Sequence, residues 1–274
     1  MYRYRIFAFS ILIVGILLAK LLENSHINEI LIAIINFIFA VTFFIINRLS
    51  DRGCELAATI QEYIDRRLFN FKIEKNMIDK FNIKEIEQKI YETVRRYSKE
   101  HKIQIEKTGE DPEHGVKDWY SNISSNLEMK EAISKCQKQN TWWDVEQDKI
   151  YNVFKIIFAI LLGLIIVIFF KNMWQIIVIT ILSILLELYT LCSKYKVYKN
   201  ISQEIKTLED VFEKSEIKDM EILKEIQNKI FERRKTGYKV PDFIHNFKSS
   251  ELHEKYKKYL NRKEEIKCII KIEI

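Results

Sequence analysis

Met173–Cys192 reads MWQIIVITILSILLELYTLC, twenty residues with no glycine or proline and a single charge, Glu187. About 20 apolar residues in a helix cross the hydrocarbon of a bilayer, so this stretch reads as a membrane span rather than a core helix. A carboxylate near hydrocarbon costs at least about 2–3 kcal/mol and marks a pathway, a partner or a snorkelling end. Thr180, Ser183, Glu187 and Thr190 are spaced by three, four and three, which places them on one helix face. Two readings stand. In the first, the hydroxyls and the carboxylate line a cation-conducting pore between several copies, with Asn36 of an earlier apolar run joining them. In the second, the Ser and Thr residues fill helix–helix contacts. Glu187, about 7–8 Å from the end of the run, then snorkels or pairs with Lys155.

Three more runs share this character. They are Ile6–Leu22, Ile27–Ile46 and Tyr151–Phe170. The first has a basic start in Arg3 and Arg5, but the LLENSHINE that follows lacks the small-residue pattern of a signal-peptide cleavage site; it reads as a retained helix. Short turns join the runs pairwise, near Glu23–His26 and at Lys171 and Asn172. The sequence therefore predicts an all-α integral membrane protein with four transmembrane helices as two hairpins and a mainly helical cytoplasmic part. The expected division is hairpin one over 1–47, a cytoplasmic helical segment over 48–150, hairpin two over 151–192, and a C-terminal helical segment over 193–274. Arg3, Arg5, Arg48, Arg52, Lys149, Lys194, Lys196 and Lys199 flank one side of the runs, against Lys20 and Lys171 on the other. The excess of cationic residues predicts that both termini and the middle segment are cytoplasmic. All four cysteines, Cys54, Cys136, Cys192 and Cys268, then face a reducing compartment, and their spacing suits neither a disulfide framework nor a metal.

Outside the runs the chain is built for helices, with six glycines and two prolines in 274 residues. Ser50 or Asp51 is expected to cap a helix through CELAATIQEYIDRRLF. Ile83, Ile86, Ile90, Val94 and Tyr97 form a helical stripe. TGEDPEHG, 108–115, reads as a break, Leu127–Gln139 as a short helix, and Asn140 and Thr141 as the start of another running into the third span. The fourth span is expected to continue through Lys194–Phe212. Further helices are expected over Ile217–Lys235, stopped by Gly237 and Pro241, and over Ser250–Arg262. The tail IKCIIKIEI alternates weakly and reads as a strand or a frayed end.

No catalytic constellation assembles. The five histidines make no metal-binding pair, and there is no phosphate-binding or nucleophile-elbow glycine motif, so an enzyme is not expected and no catalytic or metal-ligating residue is assigned. The pI near 8.9 reflects the membrane flanks in part, and no DNA or RNA binding is expected. Trp142 and Trp143 suit an interfacial aromatic belt or a ligand-stacking role. The pairs Arg66 and Arg67, and Arg95 and Arg96, and the triplet Arg233, Arg234 and Lys235, suit phosphate, solvated faces or anionic lipid.

Three segments carry a resemblance to a known family. The first is AATIQEYIDRRLF, Ala57–Phe69. The second is DWYSN followed by CQKQNTWWD, with Asp118, Trp119, Tyr120, Cys136, Gln137, Asn140, Trp143 and Asp144, and then Tyr151. The third is IQNKIFERRKTGYKVPDF, with Gln227, Arg233, Arg234, Pro241 and Asp242. In this order around two hairpins they resemble the SMODS-associating four-transmembrane (S-4TM) family of pore-forming effectors. The chain departs from the family at NFKIEKN, Asn70–Asn76, where a Leu-Pro-Trp is usual, and at Ser121, where a proline usually follows the Trp-Tyr pair.

The resemblance implies a bacterial inner-membrane protein that acts in cyclic-oligonucleotide-based antiphage defence. A cognate cGAS-like nucleotidyltransferase would make a cyclic or linear oligonucleotide second messenger, and this chain, as a homo-oligomer, would breach the membrane and abort the infection. Such a ligand needs cations for phosphate and aromatic faces for bases, and Arg233 and Arg234 with Trp119, Tyr120 and Trp143 are the expected ligand-binding residues. No other cofactor is implied. A constitutive small channel and a membrane-tethered scaffold for a cytoplasmic protein are the competing readings.

Overall fold

The computed structural model describes residues 7, 10–11, 13–15, 17–18, 29–74, 81–108, 111, 113, 115–120, 123–124, 126–169, 174–238, 248 and 250–260. Regular structure among them is helical: α1 (Glu29–Leu68), α2 (Ile83–Arg96), α3 (Ser98–Glu106), α4 (Met129–Phe169), α5 (Trp174–Lys214) and α6 (Met220–Lys235). The described residues before α1 are also helical, as is the stretch 250–260. The single β-bridge among them is isolated, between Thr108 and Lys117. The chain divides into two compact units. One comprises Met1–Phe81 with Asn152–Lys239, the other Asn82–Tyr151 with Val240–Ile274.

In the first unit, α1 is one uninterrupted helix of 40 residues, about 60 Å at 1.5 Å per residue. The expected cap at Ser50 or Asp51 does not form. A cap must leave helical geometry and turn its side chain to its own N–H groups. Instead Ser50 is buried within the helix, and the Asp51 carboxylate accepts from Lys194 Nζ of α5 at 2.6 and 2.7 Å. The helix ends at a left-handed residue, Asn70 with φ 55°. Phe71 N–H reaches back to the Arg66 carbonyl at 2.8 Å, the six-to-one bond of a Schellman motif. α5 runs 41 residues and continues past the apolar run as expected. Its last carbonyls, of Phe212 and Glu213, accept from Lys218 Nζ at 2.8 and 2.9 Å, a cation where the helix dipole favours one. α6 begins three residues later than the periodicity suggests, because Asp219 caps it by accepting from Glu221 N–H at 2.9 Å. It stops at Thr236 and at Gly237, whose φ of 68° suits glycine. α6 packs on both α5 and α1.

In the second unit, α2 starts with a capping box: Asn82 Oδ1 accepts from Glu85 N–H, and Glu85 Oε2 from Asn82 N–H. The expected stripe is cut at Tyr97, where the backbone leaves the helix before α3. Ile86 is buried, but Val94 and Tyr97 are exposed. In the loop after α3, Gly115 is obligatory, since a Cβ there would lie 2.1 Å from the Lys107 carbonyl oxygen. α4 is again one helix, of 41 residues, rather than the two expected; its residues to Tyr151 belong to this unit and the rest to the first. Asn140 and Thr141 do not start it. Thr141 Oγ1 donates to the Gln137 carbonyl one turn back, at 2.9 Å, and the Asn140 amide turns outward to Trp119 and Tyr120.

Among the described residues no helix is long and apolar enough to cross a membrane. Most side chains of the third and fourth runs lie outside them. Those described in the apolar runs are largely exposed: Ile30, Ile34, Phe37, Ile38, Phe44 and Ile45 on α1, Ile157, Leu161 and Leu164 on α4, and Leu185, Leu186 and Tyr189 on α5. Phe44 is 69% exposed and Tyr189 74%. Apolar surface on this scale is not left facing water in soluble chains. Gly15 lets the first run lie on α1, since a Cβ there would meet the Phe39 ring at 2.7 Å. The turns of both hairpins and the tail IKCIIKIEI lie outside the described residues.

Candidate functional site

In the first unit, the half of α1 beyond its apolar run turns Ala58, Glu62 and Arg66 inward, four residues apart and all at most 2% exposed. Two buried charges on that stripe need partners, and α6 supplies them. Arg66 is a hub. Its Nε donates to Glu62 Oε1 at 2.7 Å, Nη1 to the Lys72 carbonyl at 2.6 Å, and Nη2 to Asn228 Oδ1. Gln227 Nε2 donates to Glu62 Oε2 at 2.8 Å and to Asp65 Oδ2 at 3.3 Å. Arg234 Nη1 donates to Asp65 Oδ2 at 2.7 Å and lies 3.9 Å from Glu62 Oε2. Burial pushes the Glu62 carboxyl above the usual carboxylate range, and the bonds from Gln227 and Arg66 and the charge of Arg234 only partly offset it. Arg233 is 1% exposed, with its guanidinium 5.6 Å over the Tyr198 ring of α5. Tyr198 also packs on Tyr238, whose hydroxyl donates to Asn152 Oδ1 at 3.2 Å. The result is a charged, hydrogen-bonded seam between α1 and α6, with its acids and bases matched.

The second unit holds an aromatic cluster. Trp143, 2% exposed, packs against Trp119 at 5.0 Å and His253 at 4.7 Å between ring centroids. Trp142 packs on Tyr256 at 4.9 Å and stacks on Tyr259 at 6.1 Å. Trp119 Nε1 donates to Asn140 Oδ1 at 3.4 Å, Asn140 Nδ2 donates to the Tyr120 hydroxyl at 3.1 Å, and Gln139 Nε2 donates to the Trp119 carbonyl. Asp118, with φ 55°, turns the chain into this contact. Gln137 and Gln139 are buried beside Trp143 in the helix, so this part of α4 is polar yet enclosed. Glu146 joins α4 to the stretch 250–260 through Lys255 and also binds Lys149. Burial pulls its carboxyl upward, but the two ammonium groups outweigh it and hold Glu146 below the usual range.

Trp119, Tyr120 and Trp143 thus come together in one unit. Arg233 and Arg234 belong to the other, and the described partners of both are protein groups. Trp143 is a core residue of its unit, not part of an exposed belt. Of the polar stripe, the side chains of Thr180, Ser183, Glu187 and Asn36 lie outside the described residues. Thr190 is exposed, with its hydroxyl donating to the Leu186 carbonyl at 2.9 Å.

The chain matches the family described as SMODS-associating 4TM effector domain over residues 1–262. The chain belongs to that family. The 4TM effector description carries membrane localisation and a place among four-transmembrane effectors of antiphage signalling systems, and the family is not a known catalytic one. No curated protein and no solved structure matches the chain.

Within this 4TM effector, sequence reasoning missed Glu62, Asp65, Asn228, His253 and Tyr256. A Glu and an Arg four apart read as an ordinary surface pair. The usable signal was their register with Ala58 and Thr59, small residues on the same face. His253 and Tyr256 sit in a charged stretch whose only apolar period is Leu252, Tyr256 and Tyr259.

Proposed function

We propose that this protein is the membrane-breaching effector of a bacterial antiphage system, opened by a cyclic or linear oligonucleotide second messenger from a cognate nucleotidyltransferase. The family match over residues 1–262, which includes both apolar hairpins, carries this reading. The exposed apolar surfaces of α1, α4 and α5 support it, as do the long helices that extend the second and fourth runs into charged, packed segments.

In this reading the four runs span the inner membrane as two hairpins with both termini in the cytoplasm. Several copies assemble so that Thr180, Ser183, Glu187 and Thr190 of α5, with Asn36 of α1, face a common lumen. Base recognition falls to the aromatic cluster of the second unit, where the half-buried Trp119 and Tyr120 would meet the base and Trp143, in the core, would back them. Phosphate recognition by Arg233 and Arg234 requires their present contacts to open first. A messenger shifts the resting state only by binding the open form more tightly than the closed one. No catalytic step is involved.

The test is co-expression with a nucleotidyltransferase held active, followed by a membrane-potential dye. Depolarisation that needs both proteins supports the reading. Depolarisation by this chain alone points to a constitutive channel. None in either case, with the protein confirmed in the membrane, points to a scaffold.

A further inference from the structure

α6 has two chemically different faces. Against α5 it forms a helical hairpin closed by the short connection 215–219. α5 brings Tyr198, Ile205 and Phe212, seven residues apart and all buried, and α6 brings the buried Leu223, Ile226 and Ile230; the polar contacts on this face are the Arg233 guanidinium over Tyr198 and a partly exposed ion pair, Lys229 with Glu204 at 2.9 Å. Seven-residue spacing is that of an apolar packing seam. Against α1, by contrast, the contacts named above are ionic or amide bonds, with Phe231 on Ala58 as the apolar one. Parting an apolar face returns nothing to the exposed groups. Parting a charged seam returns water to each carboxylate and guanidinium, which offsets much of the lost pairing. The two faces of α6 therefore open with unequal ease.

A second polar contact joins α1 to the hairpin. Lys194 binds Asp51 at 2.6 Å, tying α1 to α5 eleven residues nearer the apolar run than Glu62. Since α1 has no break from Glu29 to Leu68, movement at Glu62 and Arg66 is transmitted along the rod, about 24 Å to Ile46.

We propose that α5 and α6 move as one hairpin and that the polar seam on α1 is the line along which the first unit opens. The consequence for the membrane rests on the effector reading above; the parting line itself does not.

The experiment measures distances between pairs of spin labels by pulsed electron resonance. It uses the full chain in lipid nanodiscs with the native cysteines replaced. Labels go on the exposed Gln61 of α1, Glu225 of α6 and Lys206 of α5. Arg234→Ala takes the cation from Asp65 and is expected to add a 61–225 population longer by about one helical turn, roughly 5 Å, while 206–225 stays fixed. The triple variant Glu62→Met, Arg66→Met and Gln227→Met replaces the buried centre of the seam with apolar side chains, keeps the Asp65–Arg234 pair, and is expected to leave a single, short 61–225 distance. Asp65→Asn serves if Arg234→Ala does not fold. An unchanged 61–225 distance in Arg234→Ala, or a 206–225 distance that lengthens with it, overturns the proposal. Host killing on expression is scored separately. Seam opening without killing by Asp65→Asn, which keeps Arg233 and Arg234, leaves the parting line standing and counts against the effector reading.

Discussion

Arg66→Ala is expected to be among the most destabilising single changes in the first unit. Arg66 is 2% exposed, and its guanidinium serves Glu62, the Lys72 carbonyl and Asn228. Truncation leaves the Glu62 carboxylate, 0% exposed, with the Gln227 amide and a guanidinium 3.9 Å away. It also frees the return of the chain after Phe71. Removing one partner of a buried pair typically costs about 3–5 kcal/mol. In a unit of this size about 1 kcal/mol moves a melting temperature by roughly 2–4 °C, so the expected loss is about 6–20 °C. Thermal melts in detergent, followed by far-ultraviolet circular dichroism, read this directly. The double change Glu62→Met with Arg66→Met is the control. It removes both charges and keeps the volume, and is expected to melt within a few degrees of wild type or above it. Arg95→Ala, on an exposed face, is expected to cost no more than about 0.5 kcal/mol. A loss under about 2 °C for Arg66→Ala would refute the burial argument, as would a double variant less stable than the single one.

Further outcomes follow from the same structure. Because burial raises the Glu62 carboxyl, its contribution to stability is complete below the unfolded carboxylate value and is lost as pH rises through the higher folded value. Glu146, held low, works the other way and loses its contribution as pH falls. The difference between the melting curves of wild type and Glu62→Gln across pH isolates Glu62, and it should shift in favour of Glu62→Gln as pH rises. Trp143→Ala is expected to cost about 3–5 kcal/mol and to raise hydrogen exchange across 129–148 and 250–260; unchanged exchange there would show that Trp143 is not a core residue. Gly115→Ala should destabilise the loop after α3, since a Cβ cannot fit beside the Lys107 carbonyl, and proteolysis near 108–118 reads that. Asp51→Ala removes a partly exposed ion pair and is expected to cost only about 1 kcal/mol.

Helical class was legible because apolar run length and helical period are local properties. The same period placed α6, and the continuation of α5 beyond Cys192, to within a few residues. Two boundaries were missed for one reason. Ser50, Asp51, Asn140 and Thr141 are residue types that start helices when their side chains turn to their own backbone. Here Asp51 has Lys194, 143 positions away, and Asn140 has Trp119 and Tyr120; a tertiary partner outcompetes the local cap. The aromatic residues of the candidate site were visible as types at motif positions, and Trp119 and Trp143 do meet. That Arg233 and Arg234 belong to the other unit was not visible, because their positions in the chain say nothing of how it divides. Glu62 and Arg66 show the limit most clearly, since an exposed and a buried four-apart ion pair are written with the same letters.

The central claim is that this chain opens the membrane on command. Its most direct measurement is conductance of the purified protein in planar bilayers, with and without a panel of cyclic and linear oligonucleotides, for wild type and Glu187→Gln. The account predicts current that appears with one messenger, is absent without it, and loses cation preference in Glu187→Gln. Silence with every messenger, from oligomers confirmed in the bilayer, would contradict it.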